Sequence, residues 1–336
     1  MMRSFVHLFP ALLLAAPAVQ AQTATPALSL PVACTIGDSC LVQKLYDLQP
    51  GPGRRDYRCG TLTTEDHDGI DIRVRTLADM RKGVAVLAAA DGIVLRVRDG
   101  MADSNVRLTG KEALDGKQAG NGVVIAHGNG WETQYSHLRH ASVRVTPGQK
   151  ITAGTPLGLI GMSGNAEFPH LHFSVRKNGT AIDPFLNKPA GAACVAATEN
   201  ISDTLWTQAA EAALAYAPTA IISAGFAADK PEPLAMRSRP EDVTKLPASS
   251  NALVFWVDVS GVQAGDTEIF TITAPDGTIV MRTEKQIEKP ALSWFSFAGK
   301  KRPGQTWATG NYGASYELRR AGKNIGALRR NVRINN

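Results

Sequence analysis

Two histidines, His170 and His172, lie in the stretch Phe168-Pro169-His170-Leu171-His172-Phe173-Ser174-Val175. In an extended strand that spacing puts both imidazoles on one face and Leu171 and Phe173 on the other. Such a strand holds polar groups rigidly over a cleft while its back anchors in a core, as a metal site requires. A second cluster, Asp66-His67-Asp68-Gly69-Ile70-Asp71-Ile72, stands about a hundred residues upstream. His67 and Asp71 are four apart, so they too share a face in extended chain, and Gly69 with the flanking isoleucines disfavours a helix. Adding one histidine from the downstream strand gives two imidazoles and one carboxylate, with a fourth tetrahedral position open. That is the arrangement of a catalytic rather than a structural zinc. A water held there has its pKa lowered to about 7, and the ion can polarise a scissile carbonyl. The spacing leaves open which of His170 and His172 is the ligand. A third piece is Tyr135-Ser136-His137-Leu138, where period two puts His137 and Tyr135 on one face. A histidine beside the water, without ligating the ion, can orient it, relay its proton or donate to a developing oxyanion. The chain has no H-E-x-x-H, so the glutamate base of the helical zinc peptidases has no counterpart.

The ordered set His67-x-Gly69-x-Asp71, Tyr135-x-His137-Leu138 and His170-Leu171-His172-Phe173, with the glycine-rich approach of residues 158–164, resembles the lysostaphin/LytM-type zinc endopeptidases. The resemblance covers residues 60–184 and implies one zinc per chain held by His67, Asp71 and His172, with His137 and His170 as the non-ligand catalytic pair. It also implies a mostly antiparallel β catalytic domain and cleavage of peptide bonds in peptidoglycan stems or cross-bridges. Gly120-Asn121-Gly122-Val123 resembles the strand start that borders the family's groove, which makes Asn121 a candidate substrate contact; Tyr135, beside His137, is a second. All five key positions are intact, unlike those of degenerate relatives that have lost ligands. The rival reading is a non-hydrolytic protein that binds wall or regulates a wall enzyme on the same fold. A lipoyl-type carrier needs a lysine at a hairpin tip between apolar neighbours, and none is present. Asp66 and Asp68 flank His67 and can hydrogen-bond its second nitrogen, whereas His127 and His140 read as structural and surface residues.

The elements that must position these groups are short strands with turn punctuation, so residues 60–190 read as an all-β domain. Residues 84–98, with the Asp91-Gly92 turn, read as one hairpin. Residues 123–137 read as a second, with Asn129-Gly130 supplying the positive φ of a tight turn. Residues 77–81 allow a single helical turn. Residues 22–59 read as a leader, its first ten residues lying over the surface. Residues 191–220 read as a connector with one helix capped by Ser202 or Asp203 and stopped by Pro218. From 221 to 336 several short strands at even spacing predict a small β-sandwich of unknown role. Its core consumes Trp256, Trp294 and Trp307, and its basic end (Arg319, Arg320, Lys323, Arg329, Arg330, Arg333) is a solvated edge strand.

Residues 1–21 read as a signal peptide, with Arg3 before an apolar run and Val19-Gln20-Ala21 at the cleavage point. No later window suffices for a membrane span. The mature chain is expected to be exported, to a periplasm or beyond the cell. Loss of Arg3 takes the formal net charge from +6 to +5, which suits attraction to an anionic envelope surface. The lack of a dense Lys/Arg patch interleaved with aromatics argues against nucleic acid. Four cysteines in an exported chain read as two disulfides. Cys34 with Cys40 closes a short loop and leaves Cys59 for Cys194, a long loop worth about 4–5 kcal/mol in the chain-entropy model.

Overall fold

In chain order, the N-terminal part forms β1 (Cys40–Lys44), β2 (Ile70–Val74), α1 (Leu77–Lys82), β3 (Ala85–Leu87), β4 (Gly92–Arg98) and α2 (Val106–Thr109). There follow β5 (Asn121–Gly128), β6 (Trp131–Leu138), β7 (Lys150–Ile151), β8 (Pro156–Leu159), β9 (His170–Lys177), β10 (Thr180–Ile182) and α3 (Gln208–Ala213). These are seen in a computed structural model that describes residues 25–239 and 243–336, so the expected signal peptide at 1–21 lies outside the described residues. One sheet runs β1-β2-β9-β6-β5-β4-β7, with β10 against β9, and every pairing in it is antiparallel. Its back is a continuous apolar core that includes Ile70, Ile72, Val123, Ile125, Tyr135, Leu171 and Phe173. The β5–β6 hairpin closes through Asn129 (φ 48°) and Gly130 (φ 76°), the two positive-φ positions such a turn demands.

Three expectations are corrected here. Residues 84–98 do not make a hairpin, because β3 pairs with β8 while β4 pairs with β5 and β7. Between them the buried Ala88-Ala89-Ala90 carries the chain from one sheet to the other, with Ala88 N donating to Thr155 O (2.9 Å) and Ala89 N to the Tyr135 hydroxyl (2.7 Å). The leader is woven into the core: Leu28 and Val32 are buried, and β1 pairs with β2. The helix of the connector is capped by Thr207, whose side chain accepts from Ala210 N, because Leu205 to Thr207 is held extended against Leu28 (Leu28 N to Leu205 O 2.7 Å, Thr207 N to Leu28 O 2.9 Å). Both cysteine pairs form as expected, Cys34 with Cys40 and Cys59 with Cys194.

The C-terminal part comprises β11 (Ala220–Ala227), α4 (Pro233–Arg237), β12 (Lys245–Pro247), β13 (Ala252–Val262) and β14 (Thr267–Thr273), then β15 (Ile279–Gln286), β16 (Ala291–Lys301), β17 (Gly310–Arg320) and β18 (Lys323–Asn335). A sheet β11-β13-β16 faces a sheet β12-β18-β17-β14-β15 across a core of Phe226, Phe255, Phe270 and Tyr316. Trp256 and Trp307 are buried, and Trp294 is half-buried with its indole N–H on the buried Glu268 carboxylate (3.1 Å). These positions consume the tryptophans in packing. Only residues Arg333 to Asn335 of β18 meet β12, so Arg329 and Arg330 stand exposed on an open edge.

The two parts are braced together by Arg75, at the end of β2. Its guanidinium donates to Asp38 O (2.5 Å) and Gly37 O (2.9 Å), in the loop closed by the Cys34–Cys40 bridge, and to Ile221 O (2.5 Å) and Ile222 O (3.2 Å) on β11.

Candidate active site

On β9 the period of two holds. His170 and His172 face a groove, and Leu171 and Phe173 face the core. Asp71 on β2 lies directly across from His172, the β2–β9 register pairing the two Cα positions. His67 arrives from the loop before β2, where Gly69 lets the chain pass close: a Cβ there would stand 2.5 Å from Phe173 O and 2.8 Å from His172 Nε2. Three imidazole nitrogens surround one oxygen, Asp71 Oδ1: His172 Nδ1 at 3.0 Å, His67 Nε2 at 3.1 Å and His170 Nε2 at 3.5 Å. His67, Asp71 and His172 each offer a ligand atom, all within 4.8 Å of one another. Two imidazoles and a carboxylate at that mutual distance fit a zinc ion with a position to spare.

The second nitrogen of each ring is fixed. His67 Nδ1 donates to Leu45 O (2.7 Å), so its Nε2 is turned to the cluster. His172 Nε2 meets Asp68 Oδ1 (3.2 Å), whose other oxygen takes Arg176 (2.8 Å). Asp68 therefore supports His172 rather than His67, and Asp66 supports neither ring; a backbone carbonyl does the work expected of these acids. Asp71 Oδ2 is held by the Lys44 ammonium at 3.1 Å. Lys44 comes from β1, outside the residues that carry the motif, and no spacing pattern could have pointed to it.

His137 and His170 form a separate pair, ring centroids 4.6 Å apart. His137 Nδ1 donates to Ser163 O and His170 Nδ1 to Phe168 O, both at 2.8 Å, which leaves each Nε2 unprotonated on the groove side. The reason His137 faces the groove differs from the expected one. Tyr135 points to the core and Gln134 and Ser136 to the groove, so strict alternation would bury His137. Its backbone turns left-handed instead (φ 62°), a strained setting for a non-glycine residue that swings the imidazole round beside Ser136.

The expected substrate contacts at Tyr135 and Asn121 are withdrawn. Tyr135 is fully buried, its hydroxyl accepting from Ala89 N (2.7 Å) and from Thr133 Oγ1 (3.1 Å). Asn121 is also fully buried; its Oδ1 accepts from Met101 N (2.8 Å), and its Nδ2 donates to Met101 O (2.7 Å) and Leu138 O (3.1 Å). It pins the 99–103 loop to the end of β6. His127 is structural, held by Asp91 O and Thr133, and His140 is exposed.

Burial pushes His137 well below the usual imidazole range, and the neighbouring rings of His170 and His172 push the same way. Burial takes His170 down to about 4 although Asp71 pulls it back. Both are neutral near pH 7, as groups that must accept a proton should be. Burial also opposes a charged His172, yet hydrogen bonds to Asp68 and Asp71 overcome it and raise the ring to about 9. A metal ion binding there displaces a proton. Burial would raise Asp71, but the imidazoles of His67 and His170, the Lys44 ammonium and the bond from His172 hold it well below the usual carboxylate range.

The cluster lies in a groove of about 840 Å³ lined by both parts of the chain. Residues 65–184 match Peptidase family M23. The chain is similar to an uncharacterized metalloprotease of Haemophilus influenzae, 31% identical over 140 residues, which are 42% of this chain and 24% of that protein. It is also similar to the peptidoglycan DD-endopeptidase ShyA of Vibrio cholerae, 32% identical over 37% of this chain and 23% of the other. The murein hydrolase activator EnvC of Escherichia coli is 34% identical over 30% of this chain and 22% of its own. The matches span about a quarter of the length of these relatives.

Proposed function

We propose that this chain is an exported, zinc-dependent endopeptidase that hydrolyses peptide bonds in the stems or cross-bridges of peptidoglycan. The observation that carries the reading is the meeting of His67, Asp71 and His172 at one point with the free Nε2 atoms of His137 and His170 on the same groove. His67 Nε2, Asp71 Oδ1 and His172 Nδ1 would hold the ion. Zinc, when bound, supplies a Lewis acid that polarises a peptide carbonyl and acidifies water near neutral pH. The chain's own residues supply the rest. His170 Nε2, neutral and 3.5 Å from Asp71 Oδ1, accepts a proton from the attacking water and can return it to the leaving amine. His137 Nε2, a second unprotonated nitrogen on the same groove, orients the attacking water by accepting a hydrogen bond from it. The carbonyls of Ser163 and Phe168 hold both rings in the tautomer these roles need. The net charge of +6 gives the chain a reason to stay near an anionic envelope surface.

EnvC is an activator by name, so an M23-type domain that regulates a wall enzyme is the second reading. The five intact positions favour turnover. A zymogram on purified wall material decides between them: lysis is expected with zinc, is lost with chelator or in Asp71→Ala, and returns to the native chain on adding zinc. Full lysis after complete removal of zinc would reject the mechanism. Binding of wall by zinc-loaded protein that releases no new amine groups would favour the regulator.

A further inference from the structure

The groove is not built by the family domain alone. Glu232, Pro233, Leu234 and Arg237, from α4 and its N-terminal flank, line the same cavity as the five site residues, together with Leu292 and Ser293 of β16. This wall is fixed in place. Arg237 makes a two-pronged pair with the buried Asp258 (Nε to Oδ2 2.8 Å, Nη2 to Oδ1 2.5 Å), reaches Ser293 Oγ (2.9 Å) and lies over the Phe295 ring. Leu292 packs against the core of the N-terminal part, and Arg75 ties β11 to it. A ligand in the groove therefore touches the C-terminal sandwich.

Lys44 is matched with Asp71, Arg176 with Asp68, Arg107 with Glu167 and Arg237 with Asp258, while Glu65, Asp66 and Lys111, all from the N-terminal part, line the groove without an ion pair among the described residues. Glu232 is exposed on the wall and, among the described residues, has no ion-pair or hydrogen-bond partner for its side chain. Among the described residues it is the one acid that the second part of the chain puts into the cavity. A carboxylate left unmatched on the wall that the C-terminal part adds to this groove favours a ligand that brings a cation to it.

Resting on the endopeptidase reading, we propose that the C-terminal sandwich is part of the substrate site. Glu232, on the wall it contributes, takes the ammonium group of a substrate residue flanking the scissile bond. The sandwich then selects peptides with a free amine on that side over peptides whose amine is acylated.

The test uses the full-length, zinc-loaded chain and two wall-type peptides, identical except that the amine of one diamino acid is free or acetylated. In a His137→Ala background, which suppresses turnover, calorimetry should show the free-amine peptide binding about fivefold more tightly, as for a partly exposed ion pair. Adding Glu232→Gln should remove the preference, and Glu232→Lys should reverse it; both side chains are solvent-facing, and an unchanged thermal midpoint checks the fold. Equal affinity for the two peptides, no binding of either, or a preference untouched by Glu232→Gln would overturn the assignment. Binding with the expected preference but no cleavage by the native chain would instead refute hydrolysis and leave the wall standing.

Discussion

Asp183 follows β10 at the close of the family domain, fully buried. Its Oδ1 accepts from Phe185 N (2.8 Å) and Leu186 N (2.9 Å), and its Oδ2 has no partner among the described residues. Burial raises its carboxyl to about 7, the two amides pulling down and the Asp56 charge pushing up. The folded chain therefore keeps a proton that the unfolded chain releases near pH 4. Below that pH the contribution of the neutral carboxyl is fully present, and it is lost as pH rises through 7. Between pH 5 and pH 7 the loss runs at about 1.4 kcal/mol per unit, hence about 2–3 kcal/mol by pH 8. Asp183→Asn keeps the Oδ1 acceptor and does not ionise. Its amide adds a buried donor that costs about 1–3 kcal/mol, but that cost is the same at every pH and cancels in the comparison. Urea unfolding of both proteins at pH 5 and pH 8 should show the variant gaining about 2–3 kcal/mol on the native chain between the two conditions. If the stability difference is the same at both pH values, Asp183 is already ionised in the fold and the reasoning fails.

Gly69→Ala drives a methyl into Phe173 O and the His172 ring and should weaken zinc binding by about 10–100-fold, read by competition with a chromogenic chelator, with little change in the far-ultraviolet dichroism. Tyr135→Phe strips the acceptor from Ala89 N and should cost about 1–3 kcal/mol of stability while KM for wall peptide stays put; a raised KM would restore Tyr135 as a substrate contact. Replacing Cys59 and Cys194 with serine opens a loop of sequence separation 135, whereas Cys34 and Cys40 are only 6 apart. The chain-entropy model gives about 5 and about 2 kcal/mol respectively, and calorimetry showing the short bridge to matter more would contradict it.

His170 and His172 were legible because β9 obeys the alternation that spacing arguments assume, whereas His67 reaches the cluster from a turn, with Asp66 at φ 59° and His67 N on Thr64 O. His67, Asp71, His170 and His172 meet as read. Tyr135 and His137 show where such arguments stop: a single left-handed residue at the end of β6 separates two side chains that alternation would pair. Asn121 was misplaced for a related reason, since a polar side chain beside glycines fits a groove and a buried loop anchor equally well until the register of β5 is known. Lys44 and Asp68 act through contacts between segments distant in sequence, and Glu232 sits just before a helix that no periodic pattern announced. Residues 84–98 failed because a turn signal shows where a strand ends but does not name its partner.

Arg75 binds its neighbours only through main-chain oxygens, two from a disulfide-closed loop and two from the first strand of the sandwich. Carbonyls are common to every amino acid, so this clasp is blind to what side chains the loop and the strand carry. Gly37 (φ 89°) and the buried Ile222 are held to type by backbone and packing rather than by the guanidinium, so a graft of the sandwich onto another such domain would need that arginine as well as a matched surface.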